Sequence, residues 1–413
     1  MSWKEASVVE QRLEFVLRAI GDKMPFSQLC REYGVAPKTG YKWKERFIQR
    51  GLEGLHDLSR KPRSSPQQVS EDVACRLFLL KLKHVHWGPA KILELYRRRA
   101  ALDGSEAQLP SLSTVKRVLD KAGLVQHRKR RPSRTGGRIV NRVEASAPND
   151  VWTVDFKGWW YSSNKERVEP LTVRDAFSRY VLCAKALDDG RTGTVRRVFE
   201  SLFETHGLPG AIRSDNGTPF ASTSAPLGLT RLSAWWVALG IALDRIAPGR
   251  PCQNGAHERM HKDLALEVEG VVDGDLKTHR AALETWRHEY NHERPHEALE
   301  MRTPAELYTR SEKTWEPGEL ELTYPEGYLR RLVGRTGSLK VHGQRISIST
   351  ALGGWHVGLK PLEANKFSVW FGPLCLGQID LDTESFQVTK ADATPPEGLA
   401  RYPLAKPSGG ETS

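Results

Sequence analysis

Asp155 constrains the fold of this chain more than any other residue. It lies in Val151-Trp-Thr-Val-Asp-Phe-Lys157, where Trp152, Val154 and Phe156 alternate with Thr153 and Asp155. A period of two marks a strand. An acid on an otherwise apolar strand must face solvent or a partner, because a lone buried carboxylate is costly. Two further acids have comparable settings. Asp215 follows the short apolar run Ala211–Ser214 and precedes an Asn216-Gly217 turn. Glu258 opens a helix after Pro248-Gly-Arg-Pro-Cys-Gln-Asn-Gly-Ala-His257. Three carboxylates on two strand ends and one helix start could surround a pair of divalent ions, and oxygen ligands are what Mg²⁺ prefers.

Charge is partitioned along the chain. The net charge is +12 over 413 residues. Residues 1–150 hold 30 Lys and Arg against 16 Asp and Glu, whereas residues 151–413 hold 32 against 34. All the net positive charge therefore sits in the first third, the footprint expected of phosphate binding. The five cysteines are scattered and form no C-x-x-C pair. They suit a reducing compartment rather than a disulfide framework. No apolar signal core or membrane-length segment is present in the sequence, so a cytoplasmic, nucleoid-associated protein is expected.

The first third reads as helices. Val9, Leu13, Val16, Leu17 and Ile20 recur at helical spacing up to Gly21. Phe26–Tyr33 forms a short helix, Gly34-Val35 a turn, and Pro37–Arg50 a basic helix. This is the helix-turn-helix pattern. Trp43 and Phe47 should face inward, leaving Lys38, Thr39, Lys42 and Arg46 for a DNA groove. Arg60, Lys61 and Arg63 lie in a Pro/Ser-rich linker suited to a DNA backbone or minor groove. A second helical unit follows, ending in a helix from Ser113 as N-cap to Ala122 and carrying Lys116 and Arg117. Residues 128–142 have seven basic residues and no acid, beginning with Arg128, Lys129, Arg130 and Arg131. They read as a DNA-contacting connector.

From Pro148 the pattern is three strands and then alternating helices and strands. The expected strands are Trp152–Phe156, Val168–Val173, Tyr180–Ala186, Ala211–Ser214 and Ile241–Ile246. This is the ribonuclease H-like order, with ligands at strand ends as in other α/β sheets. Short glycine-punctuated β runs from about Leu332 read as a small β-barrel. The expected fold is thus multidomain: N-terminal all-α helix-turn-helix modules, a central α/β ribonuclease H-like catalytic core and a C-terminal small β-barrel. The expected divisions are 1–58, a linker 59–69, a second helical module 70–126, a connector 127–147, the core 148–310, the barrel 326–390 and a disordered tail 391–413.

Four stretches together resemble a known family: Trp152-Thr-Val-Asp155, Ser214-Asp-Asn-Gly217, Pro248-Gly-Arg-Pro through Glu258-Arg259, and Tyr290-Asn through Arg294-Pro-His296 to Thr303-Pro-Ala305. The chain resembles bacterial insertion-sequence transposases of the retroviral-integrase, Asp-Asp-Glu superfamily. The resemblance implies that Asp155, Asp215 and Glu258 are catalytic and hold Mg²⁺ or Mn²⁺, two ions in all, with no small-molecule cofactor. It implies that Lys262, one turn beyond Glu258, contacts DNA; the alternative is a Glu–Lys surface pair. It implies double-stranded DNA partners, both transposon ends and target, and a homodimer or higher oligomer when two ends are synapsed.

Each acid also has a plain alternative. Asp-Asn-Gly is a common turn, and Glu258 could favour the helix dipole. Asp175 precedes a turn between strands, and the resemblance makes it non-catalytic; Asp244 lacks the motif context of Glu258. Forty-two residues separate Asp215 from Glu258, more than the resemblance leads one to expect, and residues 221–228 read as a surface insertion. His84 and His86 have no paired cysteines, so a zinc site of the integrase kind is not expected. His296 reads as structural or phosphate-contacting. Competing functions are an idle DNA-binding repressor and a ribonuclease H-like repair nuclease.

Overall fold

The computed structural model describes residues 7–21, 24–58, 69–104, 109–125, 143–246, 254–318 and 320–388. The chain forms two compact units, residues 1–69 and 70–413. Among the described residues no helix is long and apolar enough to cross a membrane.

The first unit holds α1 (Val8–Gly21), α2 (Phe26–Glu32) and α3 (Pro37–Arg50). Their apolar stripes bury Phe15, Val16, Leu29, Cys30, Trp43 and Leu55. Gly40 lets α3 approach closely: a Cβ there would meet Cys30 Sγ and Phe15 Cζ at 2.9 Å. Pro37 starts α3 at a position where its missing N–H is harmless.

The second unit begins with α4 (Glu71–Lys83), α5 (Pro89–Leu102) and α6 (Leu112–Lys121). Ser70 caps α4 by accepting from the Val73 amide. The cap of α6 is Ser111, not Ser113: its hydroxyl accepts from the Thr114 amide at 3.2 Å. These helices bury Leu77, Leu80, Trp87, Ile92, Leu95, Tyr96, Val115 and Leu119.

The central sheet follows: β1 (Val151–Phe156), a small hairpin of β2 (Trp160–Tyr161) and β3 (Arg167–Val168), β4 (Pro170–Asp175) and β5 (Val181–Ala186). The expected strand Val168–Val173 is thus two elements. Then come α7 (Thr192–His206), β6 (Ala211–Ser214), α8 (Arg231–Ala238), β7 (Ala242–Arg245), α9 (Gly255–Leu264) and α10 (Leu276–His292). The spatial order is β5-β4-β1-β6-β7. β5, β4 and β1 pair antiparallel; β1, β6 and β7 pair parallel. One face packs Trp152, Val154, Leu171 and Val173 against Phe199, Phe203, Trp235 and Trp236 of α7 and α8. The other side brings Val181, Ala184 and Ala186 against Met260, Leu264, Leu283, Trp286 and Tyr290 of α9 and α10. The helical module adjoins this second side: Arg98 Nη1 is 2.6 Å from Glu306 Oε1, and the Arg294 guanidinium lies 5.6 Å from the Trp87 ring.

The C-terminal part comprises β8 (Leu329–Leu332), β9 (Ser338–Val341), β10 (Gln344–Ser347), β11 (His356–Glu363), β12 (Lys366–Phe371), β13 (Leu374–Asp380) and β14 (Ser385–Val388). The expected barrel does not close. Its strands form an open antiparallel sheet, β14-β13-β12-β11-β8, and a separate β9–β10 hairpin. The reason lies in what covers the apolar face. Leu229, Ala234 and Val237 of the central α/β region enter the same cluster as Val357, Leu359, Val369 and Leu376. The sheet therefore buries itself partly on α8 and needs no closure. The 221–228 segment is exposed at Thr223 and Ser224 and anchored at its far end. Leu227 packs on that cluster, and Arg245 Nη1 donates to the Leu227 carbonyl at 2.6 Å. The expected tail falls outside the described residues.

Candidate active site

β1 and β6 are parallel neighbours, with Thr153 beside Arg213. Asp155 lies two residues beyond that pair on β1, and Asp215 two residues beyond it after β6. Both acids therefore stand at the carboxyl ends of adjacent strands, where α/β sheets place ligands. Glu258 is in the first turn of α9 and is half-buried. Burial pushes the Asp155 carboxyl up to about 7, and the like charges of Asp215 and then Glu258 add to this. The Phe156 amide and the Asn254 side chain oppose the rise. The three carboxylates thus share one electrostatic neighbourhood. Among the described residues, however, no three His, Cys, Asp or Glu side chains are drawn together closely enough to hold an ion as they stand.

α9 is tied to the sheet by polar bonds that sequence reasoning missed. Asn254 Nδ2 donates to Asp155 Oδ2 at 3.3 Å. Arg174 Nη1 donates to the Ala256 carbonyl at 2.9 Å. His257 is fully buried, with Nδ1 2.7 Å from Thr153 Oγ1 and Nε2 2.7 Å from Thr172 Oγ1. His261 Nε2 is 2.8 Å from the same Thr172 hydroxyl. Burial holds His257 well below the usual imidazole range and pushes His261 down to about 4, so both rings are neutral. A signal existed: Thr153 shares a strand face with Asp155, and two polar positions on a strand imply polar company.

The decoy acids have other occupations. Buried Asp175 accepts from the Asn149 amide at 2.8 Å and from the amide and hydroxyl of Ser178 at 2.7 and 2.6 Å. It staples the turn after β4. Asp244 pairs with Arg213 at 2.6 Å. Arg294 is buried and bridges Asp263 and Glu267 at 2.8 and 2.9 Å. Buried His296 is pushed down to about 2, chiefly by desolvation, and packs on Tyr290.

Of the expected DNA-contacting residues, Lys38 and Lys42 are exposed on α3, whereas Thr39 and Arg46 are half-buried. The Lys42 ammonium lies 4.4 Å from the Trp43 ring centre and the Arg46 guanidinium 5.1 Å. Lys116 and Arg117 are exposed on α6, and Lys262 is exposed on α9. Arg60, Lys61, Arg63, Arg128, Lys129, Arg130 and Arg131 lie outside the described residues.

Models of the integrase core domain match residues 145–251 and 239–304. A helix-turn-helix domain model matches 11–63, and a homeodomain-like domain model matches 39–119. The chain is 30% identical over 271 residues to the insertion element IS407 uncharacterized 31.7 kDa protein of Burkholderia multivorans (strain ATCC 17616 / 249), covering 60% of this chain and 93% of that one. The chain belongs to the insertion-sequence transposases of the integrase superfamily, with an N-terminal helix-turn-helix region. It is also 29% identical over 262 residues to the insertion element IS476 uncharacterized 39.2 kDa protein of Xanthomonas euvesicatoria, with 62% and 70% coverage. Membership places it among polynucleotidyl transferases and in DNA transposition or integration. The HTLV-2 integrase catalytic core domain in complex with magnesium is similar at 16% identity over 40% of this chain and 100% of that one, with a TM-score of 0.30. A likeness of that size carries no further argument.

Proposed function

We propose that the chain binds the ends of an insertion element, cuts DNA there and joins the freed 3′-OH to target DNA, with Asp155, Asp215 and Glu258 as the catalytic acids. The observation that carries this reading is the shared neighbourhood of the three carboxylates. Two of them end adjacent parallel strands, and Asp155 feels both others. Such crowding of like charge in a half-buried place suits a divalent cation, and an all-oxygen donor set suits Mg²⁺ or Mn²⁺ over zinc. The same three side chains would hold two such ions, which would supply Lewis-acid stabilisation of the attacking and leaving oxygens. Asn254 donates to one Asp155 oxygen and so steadies it.

Two displacements follow from this assignment. In the first, a water oxygen bonds to phosphorus and the 3′ oxygen of the element end leaves. In the second, that 3′-OH bonds to a target phosphorus and a target 3′ oxygen leaves. Exposed Lys38 and Lys42 on α3, with Lys116 and Arg117 on α6, supply charge for holding double-stranded ends. Synapsis of two ends calls for at least two copies of the chain. A labelled end fragment incubated with the full chain, target DNA and Mn²⁺ tests the reading. Joined products are expected. Cut products alone would indicate a nuclease, and a gel shift alone would indicate a repressor.

A further inference from the structure

Asp155 and Glu258 come from different elements, so something must set one against the other. Thr153 and Asp155 share a face of β1, and Thr172 and Arg174 share a face of β4. Thr172 is the cross-strand partner of Asp155, and Arg174 that of Thr153. All four thus form one polar square on the sheet, and the first turns of α9 lie across it. His257, next in sequence to Glu258, has both ring nitrogens on this square.

The hydrogens in this square can be placed by counting donors. Each threonine hydroxyl has one hydrogen and two lone pairs, and a neutral imidazole has one N–H. The Thr172 hydroxyl has three neighbours: the Asp155 carbonyl at 3.0 Å, His257 Nε2 at 2.7 Å and His261 Nε2 at 2.8 Å. A carbonyl can only accept, so Thr172 donates to Asp155. Its two lone pairs then receive N–H from both histidines. His257 Nδ1 is consequently bare and accepts from the Thr153 hydroxyl, in preference to the Arg174 carbonyl at 3.2 Å. The Thr153, His257 and Thr172 donors each meet an acceptor, and the chain of bonds runs from Thr153 through His257 and Thr172 to the backbone of Asp155.

We infer that His257 is a positioning residue that sets Glu258 in register with Asp155 through hydrogen bonds to Thr153 and Thr172. The inference rests on the assignment of Asp155 and Glu258 proposed above. Its ring does not touch substrate and moves no proton. Packing alone would not need both nitrogens satisfied; an apolar side chain of similar size would fill the space. The two hydroxyls make the register discrete, because a slip of α9 by one residue would take both buried His257 nitrogens off their hydroxyl partners.

The test uses the full chain, with Mn²⁺ as the metal probe. The variants are His257→Phe, His257→Gln, Thr172→Val and Thr172→Ser. Free Mn²⁺ is followed by electron paramagnetic resonance, and joining is measured separately as kcat and KM for end DNA. His257→Phe and Thr172→Val should each weaken Mn²⁺ binding and lower kcat by about 10–100-fold, as losses of groups that orient metal ligands do, with KM for DNA changed by no more than about twofold. His257→Gln, which keeps a donor for Thr172, and Thr172→Ser, which keeps the hydroxyl, should recover most of both. A folded His257→Phe with Mn²⁺ affinity and kcat within about twofold of the parent overturns the inference, as does a Gln variant no better than Phe. Should His257→Phe fail to fold, the Thr172→Val and Thr172→Ser pair decides on the same readouts. Asp155→Asn separates the two levels: if it still joins DNA, the assignment of the site has failed; if it is dead while the His257 and Thr172 variants are normal, only the positioning inference has.

Discussion

The two sides of β1 solve different problems with the same six residues. Trp152 and Val154 point into a dry layer of aromatic side chains from α7 and α8. Thr153 and Asp155 point the other way, to α9, and are met by an amide, an imidazole and a guanidinium-anchored helix turn. The apolar face holds by area and shape, which are tolerant of small shifts. The polar face holds by discrete bonds, which are not. Placing a crowded carboxylate on the second face costs stability, and the first face offsets it.

Removing charge from the polar face should have the largest effect. Asp155→Asn, Asp215→Asn and Glu258→Gln are each expected to lower joining by on the order of 10³-fold or more, with end binding in a gel shift nearly unchanged. A variant that joins at near-normal rates would take its residue out of the site. The opposite result is expected on the apolar face. Trp152→Ala should lose about 3–5 kcal/mol of stability in denaturant titrations, through the cavity it leaves. Its folded fraction should still join DNA. Loss of joining in a fully folded Trp152→Ala would mean that the two faces are not independent.

Asp175 gives a smaller and sharper contrast. It is a carboxylate of the same sheet, yet it is wholly occupied by Asn149 and Ser178. Asp175→Ala should cost about 1–3 kcal/mol by orphaning those donors. Mn²⁺ affinity should not change. A variant with normal stability and lost metal binding would reverse the roles given to Asp155 and Asp175.

The smallest effect is on pH dependence without metal. The folded pKa of Asp155 is raised from 3.8 to about 7, so the native state keeps a proton that the unfolded chain releases. Stability contributed by this group therefore falls as pH rises through that window. Buried histidines such as His206, pushed down to about 4, act in the opposite direction, so the comparison must be between variants. In EDTA, Asp155→Asn should gain melting temperature over the parent as pH rises from 4 to 7, with a plateau above. A difference that stays flat across that range would show that Asp155 is not crowded.

Much of this contrast can be read in the sequence, and the part that cannot has a physical cause. Period-two alternation reveals β1, and the run Ala211–Ser214 reveals β6, because both are short local patterns. Their adjacency follows from the ribonuclease H-like order. The footing of α9 does not, because His257 reads as one polar residue among several until Thr153 and Thr172 are brought to it from about a hundred positions away. β8 was hidden because Leu329-Arg-Arg-Leu332 has little apolar character. The open sheet was hidden because its cover comes from Leu229, Ala234 and Val237, far upstream. Tertiary partners decide these cases, and local pattern carries no record of them.

The central claim is that the polar face of β1 is a metal site closed by Glu258. A crystal of the full chain with end DNA, grown in Mn²⁺ and measured at a wavelength where manganese scatters anomalously, tests it most directly. The account predicts anomalous peaks bounded by Asp155, Asp215 and Glu258, with His257 still bonded to Thr153 and Thr172. Peaks at another set of residues, or none there in crystals whose DNA has been joined, would contradict it.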